Sequence, residues 1–284
     1  MSSLKGKIDF VVIVSATNAN PNGDPLNGNR PRETYDGYGE ISDVCIKRKI
    51  RNRLQDLGER IFVQSDQRSD DGFKSLKARA DGCKRLKDEI DKNKKADKDL
   101  CCKIACEEWT DVRSFGQVFA FKGDQVSLGI RGPVSIHQAI SVSPVDIISE
   151  QITKSVNSED KVGKASDTMG MKHRVGFGLY IVKGSVNVQL AEITGFSQED
   201  AELLQKSLIT LFENDTSSAR PEGSMEVCKV IWWQHDTKTP KVSTAKLHRS
   251  VKVTAINNNP KSVEDYEVSV ENLEGVKPEI FDLM

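Results

Sequence analysis

The residues of this chain best suited to chemistry are basic and amide side chains, gathered in three places. The first is the loop Asn20 to Arg32 (NPNGDPLNGNRPR), which follows an apolar run and precedes a helical pattern, where phosphate loops sit. It has neither the Walker spacing with its Lys-Ser/Thr ending nor G-x-G-x-x-G, so it is not read as a nucleotide cradle. Asn18, Asn20, Asn22 and Gly23 imitate a calcium loop only in outline: the first position lacks a carboxylate and the twelfth is Asn29 rather than Glu. Arg30 and Arg32 set two guanidiniums at a loop tip, a pairing suited to phosphate, although a solvated loop explains them equally well on composition. The second place is Lys47, Arg48 and Arg51, which helical spacing puts on one side of a helix. Acidic partners are few there, so the stripe reads as not neutralised in the i, i+4 manner. The third is Met169-Gly-Met171-Lys172-His-Arg174, where two Met could wedge between bases while the cations neutralise phosphates; a flexible loop with incidental charge has equal weight.

The remaining reactive residues form no recognisable set. Cys101, Cys102 and Cys106 cluster, with Cys83 upstream, but no C-x₂-C pair or nearby His completes a zinc site. His137, His173, His235 and His248 are scattered, without G-x-S-x-G or HExxH. No catalytic residue, metal site or cofactor is therefore assigned.

The elements that must position these residues follow from periodicity. Ile8 to Ala16 is a β-branched apolar run, the pattern of a buried central strand. Ser42 offers an N-cap, Asp43 suits the first turn, and Gly58 stops a helix whose apolar face is Ile46, Ile50, Leu54 and Leu57. Val134, Ile136, Ile140 and Val142 predict a second strand within 131–142. Val175 to Leu190 predicts a third, with Gly184 as a bend or bulge. Ser197 and Asp200 resemble a capping box opening a helix with Leu204, Leu208 and Leu211 inside, and Met225 to Gln234 predicts a last strand in which both Trp232 and Trp233 pack inward. The order strand, helix, strand, strand, helix, strand is the split-βαβ, ferredoxin-like order that RNA-recognition sheets also use. Its two long connections, 58–130 and 143–173, read as insertions. Residues 68–113 hold thirteen basic and eleven acidic residues, interleaved as on a solvated helical face.

Charge and composition bound the partners. The net charge of −1 hides a segment, 257–284, with a net of −5, read as solvated surface, and a stretch from Val44 to Phe62 with a net of +4. A local basic stripe suffices for a polyanion. No run of 18 apolar residues spans a membrane, no apolar leader opens the chain, and six Cys without an export signal read as reduced cytosolic thiols.

Several segments together resemble a known family: IDFVVIVSATNANPNGDPLNGNRPR, SDVCIKRKIRNRL, DVRSFGQVFAF, RGPVSIHQAISVSPV and HRVGFGLYIVKGSVNV. They are similar to the Cas7 backbone subunit of type I-C CRISPR interference complexes (Cascade), within the RAMP superfamily, over Ile8 to about Gln234. The resemblance implies an α+β fold: an RRM-like palm (1–57, 131–142 and 174–256), a fingers insertion (58–130), a thumb insertion (143–173) and an acidic C-terminal segment (257–284). It implies a cytoplasmic, non-catalytic subunit that polymerises with other copies along a guide RNA, beside other Cascade subunits, and presents that RNA for pairing with target DNA. Ser42, Lys47, Arg48 and Arg51 would hold guide phosphates, with Arg30 and Arg32 nearby and Met169, Met171, Lys172 and Arg174 at a kink made by the thumb. Related subunits of other CRISPR types cut RNA with an acidic loop residue, so an endoribonuclease using Asp24, Asp36 or Asp43 is the alternative. On this reading, Lys47→Glu with Arg51→Glu leaves the fold intact and weakens RNA binding.

Overall fold

In the computed structural model, which describes residues 2–121, 127–153 and 169–284, the apolar run becomes β1 (Ile8–Ala19), with every residue from Ile8 to Ala16 buried. Its even-numbered side chains face one core and Val11 and Ile13 face another, so β1 needs cover on both sides. The polar loop after it folds as short strands β2 (Gly23–Asp24), β3 (Arg30–Pro31) and β4 (Tyr38–Ile41), and leads into α1 (Asp43–Asp56). Ser42 caps α1 by accepting from the Cys45 amide, as its position before Asp43 predicts.

The first insertion is mostly helical: α2 (Leu76–Gly82), α3 (Lys84–Ile90), α4 (Lys98–Glu108) and α5 (Thr110–Phe115), followed by the hairpin of β5 (Gly116–Phe119) and β6 (Leu128–Arg131). It builds its own core, in which Phe62 packs 4.7 Å from Trp109 and 4.9 Å from Phe119 between ring centroids. Cys101 and Cys106 lie in this core, where burial pushes their thiols up to about 11 and about 12. They behave as small apolar side chains. Not all of the interleaved charges are solvated, since Arg79 and Glu89 are buried. Arg79 pairs with Asp71 and donates to the Phe62 and Phe73 carbonyls.

The second half supplies β7 (Val134–Ile136), β8 (Ala139–Pro144), β9 (Ile147–Thr153), β10 (Met169–Val186), α6 (Val188–Thr194), α7 (Gln198–Ile209) and β11 (Met225–Gln234). β11 flanks β1 on one side and β10 on the other, and β7 and β8 lie beyond β10, every pair antiparallel. The four sequence-predicted strands thus stand in the order fourth, first, third, second. α1 and α7 pack over the first core, and the Ser197–Asp200 capping box opens α7 as predicted. Trp232 and Trp233 are both buried, on opposite faces, with Trp232 stacked 5.5 Å from Phe10.

Three expectations are corrected. The strand predicted across 131–142 breaks at His137–Gln138, and the break flips its phase: Ala139 and Ser141 point into the fold after Val134 and Ile136, while Val142 joins the opposite core. Gly184 is not a bulge. It pairs in register with Phe10, and a Cβ there would come within 2.2 Å of the Phe10 ring, so glycine is needed for close approach. The acidic end is not merely solvated surface. Within 257–284, β13 (Tyr266–Val270) pairs with β12 (Val251–Ala255) and buries Tyr266, with Val276, beside Leu247 of α8 (Thr244–Ser250) and Val251 on the second face of the sheet, and β14 (Glu279–Asp282) pairs with the edge of β11.

Buried ion pairs join these layers. Arg113 of α5 meets Asp200 of α7 through Nη2 at 2.7 Å and Nε at 3.0 Å, tying the insertion to the sheet. At one end of β1, Asp9 receives Lys7 at 2.8 Å and the His235 ring at 3.0 Å; burial opposes its charge, but these bonds outweigh it and hold the carboxyl below its usual value. Arg113→Met should cost about 3–5 kcal/mol in urea unfolding, because it strands the Asp200 carboxylate. His248, bonded to the Gly184 carbonyl and facing His137, Asp9 and Lys183, is held below its ordinary value of 6.5, chiefly by burial. The unfolded chain therefore binds the extra proton first, and stability should fall as pH drops below about 6.5 toward the folded value. His248→Gln should flatten that slope in thermal unfolding between pH 7.5 and 5.

Candidate nucleic-acid interface

The loop between β1 and α1 is braced from within. Asn22 Oδ1 accepts from the Ser42 amide at 2.9 Å and the Ser42 hydroxyl at 2.8 Å, which fixes the loop against the start of α1. Asn20 Nδ2 donates to the Asn29 carbonyl at 2.7 Å, while its Oδ1 is buried without a partner among the described residues. Arg32 lies 3.6 Å from Asp24, whose carboxylate also accepts from the Leu26 amide.

Opposite this loop stands a two-stranded ribbon, β9 paired with residues 169–175 of β10. Arg30 bridges the two: its Nη1 donates to Ser149 Oγ at 3.1 Å, and Ser149 is in turn 2.8 Å from His173 Nδ1. Between loop and ribbon lies a cleft of about 350 Å³, lined by Asn20, Asn29, Ile152, Met171, Lys172 and His173. Met169 and Met171 are 63% and 55% exposed, a surface that thioethers rarely present without a partner. Residues 154–168, the rest of the expected thumb, lie outside the described residues.

The helix stripe is arranged differently from the expectation. Lys47 is neutralised at i, i+4 after all, by Asp43 at 3.0 Å. Arg48 Nη1 donates to the Val63 carbonyl at 2.5 Å. Arg51 Nε donates at 2.8 Å to Asp111, a fully buried carboxylate that also accepts from the Phe62 and Val63 amides, and its guanidinium lies 5.0 Å from the Phe115 ring centre. Arg51 is thus a joint between α1 and the first insertion, and Glu at that position would set two carboxylates together in a buried site. The expected intact fold of the Lys47→Glu, Arg51→Glu variant is corrected on this ground. On the ribbon, Arg174 is clamped by both Glu150 oxygens at 2.6 Å, and Lys172 makes no ion pair with the described residues.

One feature of this region was missed. Lys49 is 4% exposed, packed over Phe212 and paired with Asp215, which also receives Arg220 at 3.0 Å; burial lowers the Lys49 ammonium. Its signal in the sequence was a charge on the apolar side of α1, between Ile46 and Ile50. Of the candidate carboxylates, Asp24 and Asp43 are engaged with cations and Asp36 is exposed, and among the described residues no group of three or more metal-ligating side chains converges.

A four-stranded antiparallel core with a helical insertion on one side and a ribbon on the other is the class of protein this geometry defines. The family model for the CRISPR-associated protein Cas7 matches residues 6–271, so the chain belongs to the Cas7 family. The CRISPR-associated protein Cas7 of Haloferax volcanii is 29% identical over 234 residues, covering 76% of this chain. The chain spans 66% of that relative's length. Two solved chains are also similar. One, from a "CRISPR RNA-guided surveillance complex, pre-nicking", has a TM-score of 0.48 at 18% identity over 80% of this chain and 75% of that one. The other, from a "CRISPR RNA-guided surveillance complex", has a TM-score of 0.44 at 15% identity over 80% and 68%. Family membership does not rest on these two. No helix among the described residues is long and apolar enough to cross a membrane.

Arg51→Glu alone should lower stability by about 3 kcal/mol or more in urea unfolding, through its effect on Asp111. Lys47→Glu should cost no more than about 1 kcal/mol, since it exchanges one partly exposed i, i+4 ion pair for a like-charge pair with Asp43.

Proposed function

We propose that this chain is an RNA-binding backbone subunit of a type I-C CRISPR surveillance complex (Cascade), a non-catalytic protein of the cytoplasm. Copies line up along a guide RNA beside other Cascade subunits and hold it for pairing with target DNA. Membership of the Cas7 family gives the class. The observation that carries the reading is the cleft between the loop 20–32 and the ribbon, lined by Met171, Lys172 and His173, with Arg30 linked to its His173 wall through Ser149 and Met169 exposed two residues before Met171 on β10. A lysine and a thioether in one cleft, with a guanidinium and a second Met close by, suit a single strand whose phosphates are held while its bases are parted.

The strand order described above supports an RRM-like palm, with 58–130 as fingers and 143–173 as thumb. Six free cysteines fit a reducing compartment. Contacts through phosphates suit a subunit whose guide differs in sequence each time, because sequence is then read by base pairing alone. Within the expected set, Arg30, Lys172, Met169 and Met171 are the residues we assign first to RNA, with Arg32 joining them on release from Asp24. Ser42, Lys47, Arg48 and Arg174 would act through the surfaces they brace or, after exchanging partners, on phosphates directly. Asp24 and Asp43, each engaged with a cation, support a structural role for the loop carboxylates over a nuclease one.

Light scattering should show several copies on one guide-length RNA, and affinity should fall on the order of 10³-fold between low and moderate salt if six or more phosphates are contacted. Arg30→Glu with Lys172→Glu should weaken binding at least tenfold while costing at most about 1–2 kcal/mol of stability from the lost Ser149 bond and the new repulsions with Glu33 and Glu150, and Arg30→Gln with Lys172→Gln should weaken binding with a smaller loss of stability still. A fixed ratio of one protein per long RNA would sink the backbone reading, and regular cleavage of complementary RNA in magnesium, lost in Asp36→Ala, would replace it with the nuclease.

A further inference from the structure

Away from the RNA cleft, a groove of about 650 Å³ opens where α4, β6 and α6 meet. Its lining is mainly apolar, from Cys102, Ile130, Leu190 and Ile193, with Ile193 78% exposed. Thr194, a residue only 5% exposed, also lines it, and its buried hydroxyl has no partner among the described residues. Lys103 and Arg131 stand on its walls without an ion pair to the described residues; of the three lining carboxylates Glu107 and Glu192 are engaged with Arg85 and Lys238 and Asp99 makes no such pair, so the uncommitted charge of the groove is positive by one.

The complementary feature lies on the turn before β4. Tyr35 is completely exposed, yet the turn holding it is closed by three hydrogen bonds: Thr34 N to the Tyr38 carbonyl at 2.7 Å, Gly37 N to the Thr34 carbonyl at 3.0 Å and Tyr38 N to Thr34 Oγ1 at 3.1 Å. Gly37 supplies the positive φ of 78° that the turn requires. An aromatic side chain held outward on a preorganised turn contributes nothing to this fold, and it is the type of group that anchors interfaces at low entropic cost. Glu33, 3.7 Å from Arg30, and the exposed Asp36, without an ion pair to the described residues, flank it, so the tip presents a free carboxylate where the uncommitted charge of the groove is positive.

The two features lie at opposite ends of the sheet. Tyr38 pairs with Pro144, and Gly37 accepts from the Val145 amide, toward the ribbon end of β10; Arg131 and α6 lie past the other end, where Val186 pairs with Val134. About nine residues of strand, roughly 30 Å, separate them. A tip on one end and a receptor on the other cannot meet within one chain, and between chains they make a head-to-tail contact, the kind that extends into a filament when its rotation does not close.

We infer that the groove between α4, β6 and α6 receives the Tyr35 turn of a second copy of this chain, with Tyr35 against Ile130 and Ile193 and Glu33 and Asp36 facing Lys103 and Arg131. The inference rests on the backbone reading above, and it names the surface that joins one copy to the next.

Tyr35→Ala and Ile193→Asp each change an exposed side chain and should leave thermal unfolding unchanged. On an RNA long enough for one copy, binding should change less than about twofold; on a guide-length RNA, filling should need at least about tenfold more protein, the loss expected of an anchor residue. Tyr35→Cys protein at high concentration without RNA should be joined between copies by a short bismaleimide, and the product should vanish in Tyr35→Cys with Cys102→Ser. Unchanged filling by both variants, or a cross-link that survives loss of Cys102, overturns the inference. Single occupancy of long RNA by the parent, with the Cys102-dependent cross-link still formed, would instead count against the backbone reading and leave the contact standing.

Discussion

A central strand that is apolar on both sides cannot leave either face in water, and the arrangement of this protein follows from that constraint. β1 buries every residue from Ile8 to Ala16, so the chain must supply two covers. α1 and α7 form one, over Ile46, Ile50, Leu204 and Leu208. The second is made by the last forty residues, whose α8 and β12–β13 hairpin place Leu247, Val251 and Tyr266 over Val11, Ile13 and Trp233. With both faces closed, the faces of the sheet are unavailable as a binding platform, and the proposed RNA site lies instead at the loop and ribbon at its end.

The covers are fastened by carboxylates that are buried or, at Asp215, nearly so. Asp111 joins α1 to the first insertion, Asp200 joins that insertion to α7, Asp9 gathers Lys7 and His235 at the end of β1, and Asp215 holds Lys49 and Arg220. Each takes a basic residue out of the pool that could meet an RNA phosphate. A buried carboxylate is tolerable only when cations and amides satisfy it, so these pairs report architecture more than stability gained. On the proposed reading, the surface left for phosphate is smaller than the basic residue count implies, and it centres on Arg30 and Lys172, beside the exposed Met pair.

The loop 20–32 and the ribbon show how a site is assembled from segments far apart in sequence. Arg30 and Ser149 are 119 residues apart and meet through one hydrogen bond, with His173 behind them. Asn22 and Ser42 lock the base of the loop onto α1, so the guanidinium approaches the ribbon from a fixed direction. Positioning of this kind matters for a polyanion without fixed sequence, because geometry, and not base identity, must select it.

The amino-acid sequence by itself determined the elements and their order. The two-sided apolar run of β1, the Ser42 cap, the Ser197–Asp200 box and the alternating pattern through Trp232 and Trp233 are local features, each settled by a few neighbouring side chains. Linked motifs likewise marked the Cas7 family. Tertiary structure alone decided which cations are free. Lys47, Arg48 and Arg51 share a helix side by spacing, yet Arg51 faces Asp111, sixty residues away, and no pattern within α1 reveals that partner. It also decided that Gly184 makes room for Phe10, that a two-residue break turns Val142 to the other core, and that an acidic, polar tail closes a face of the sheet. Pairing across the fold depends on which surfaces the packed layers bring within 3 Å, and a linear sequence carries that information only through the fold it produces.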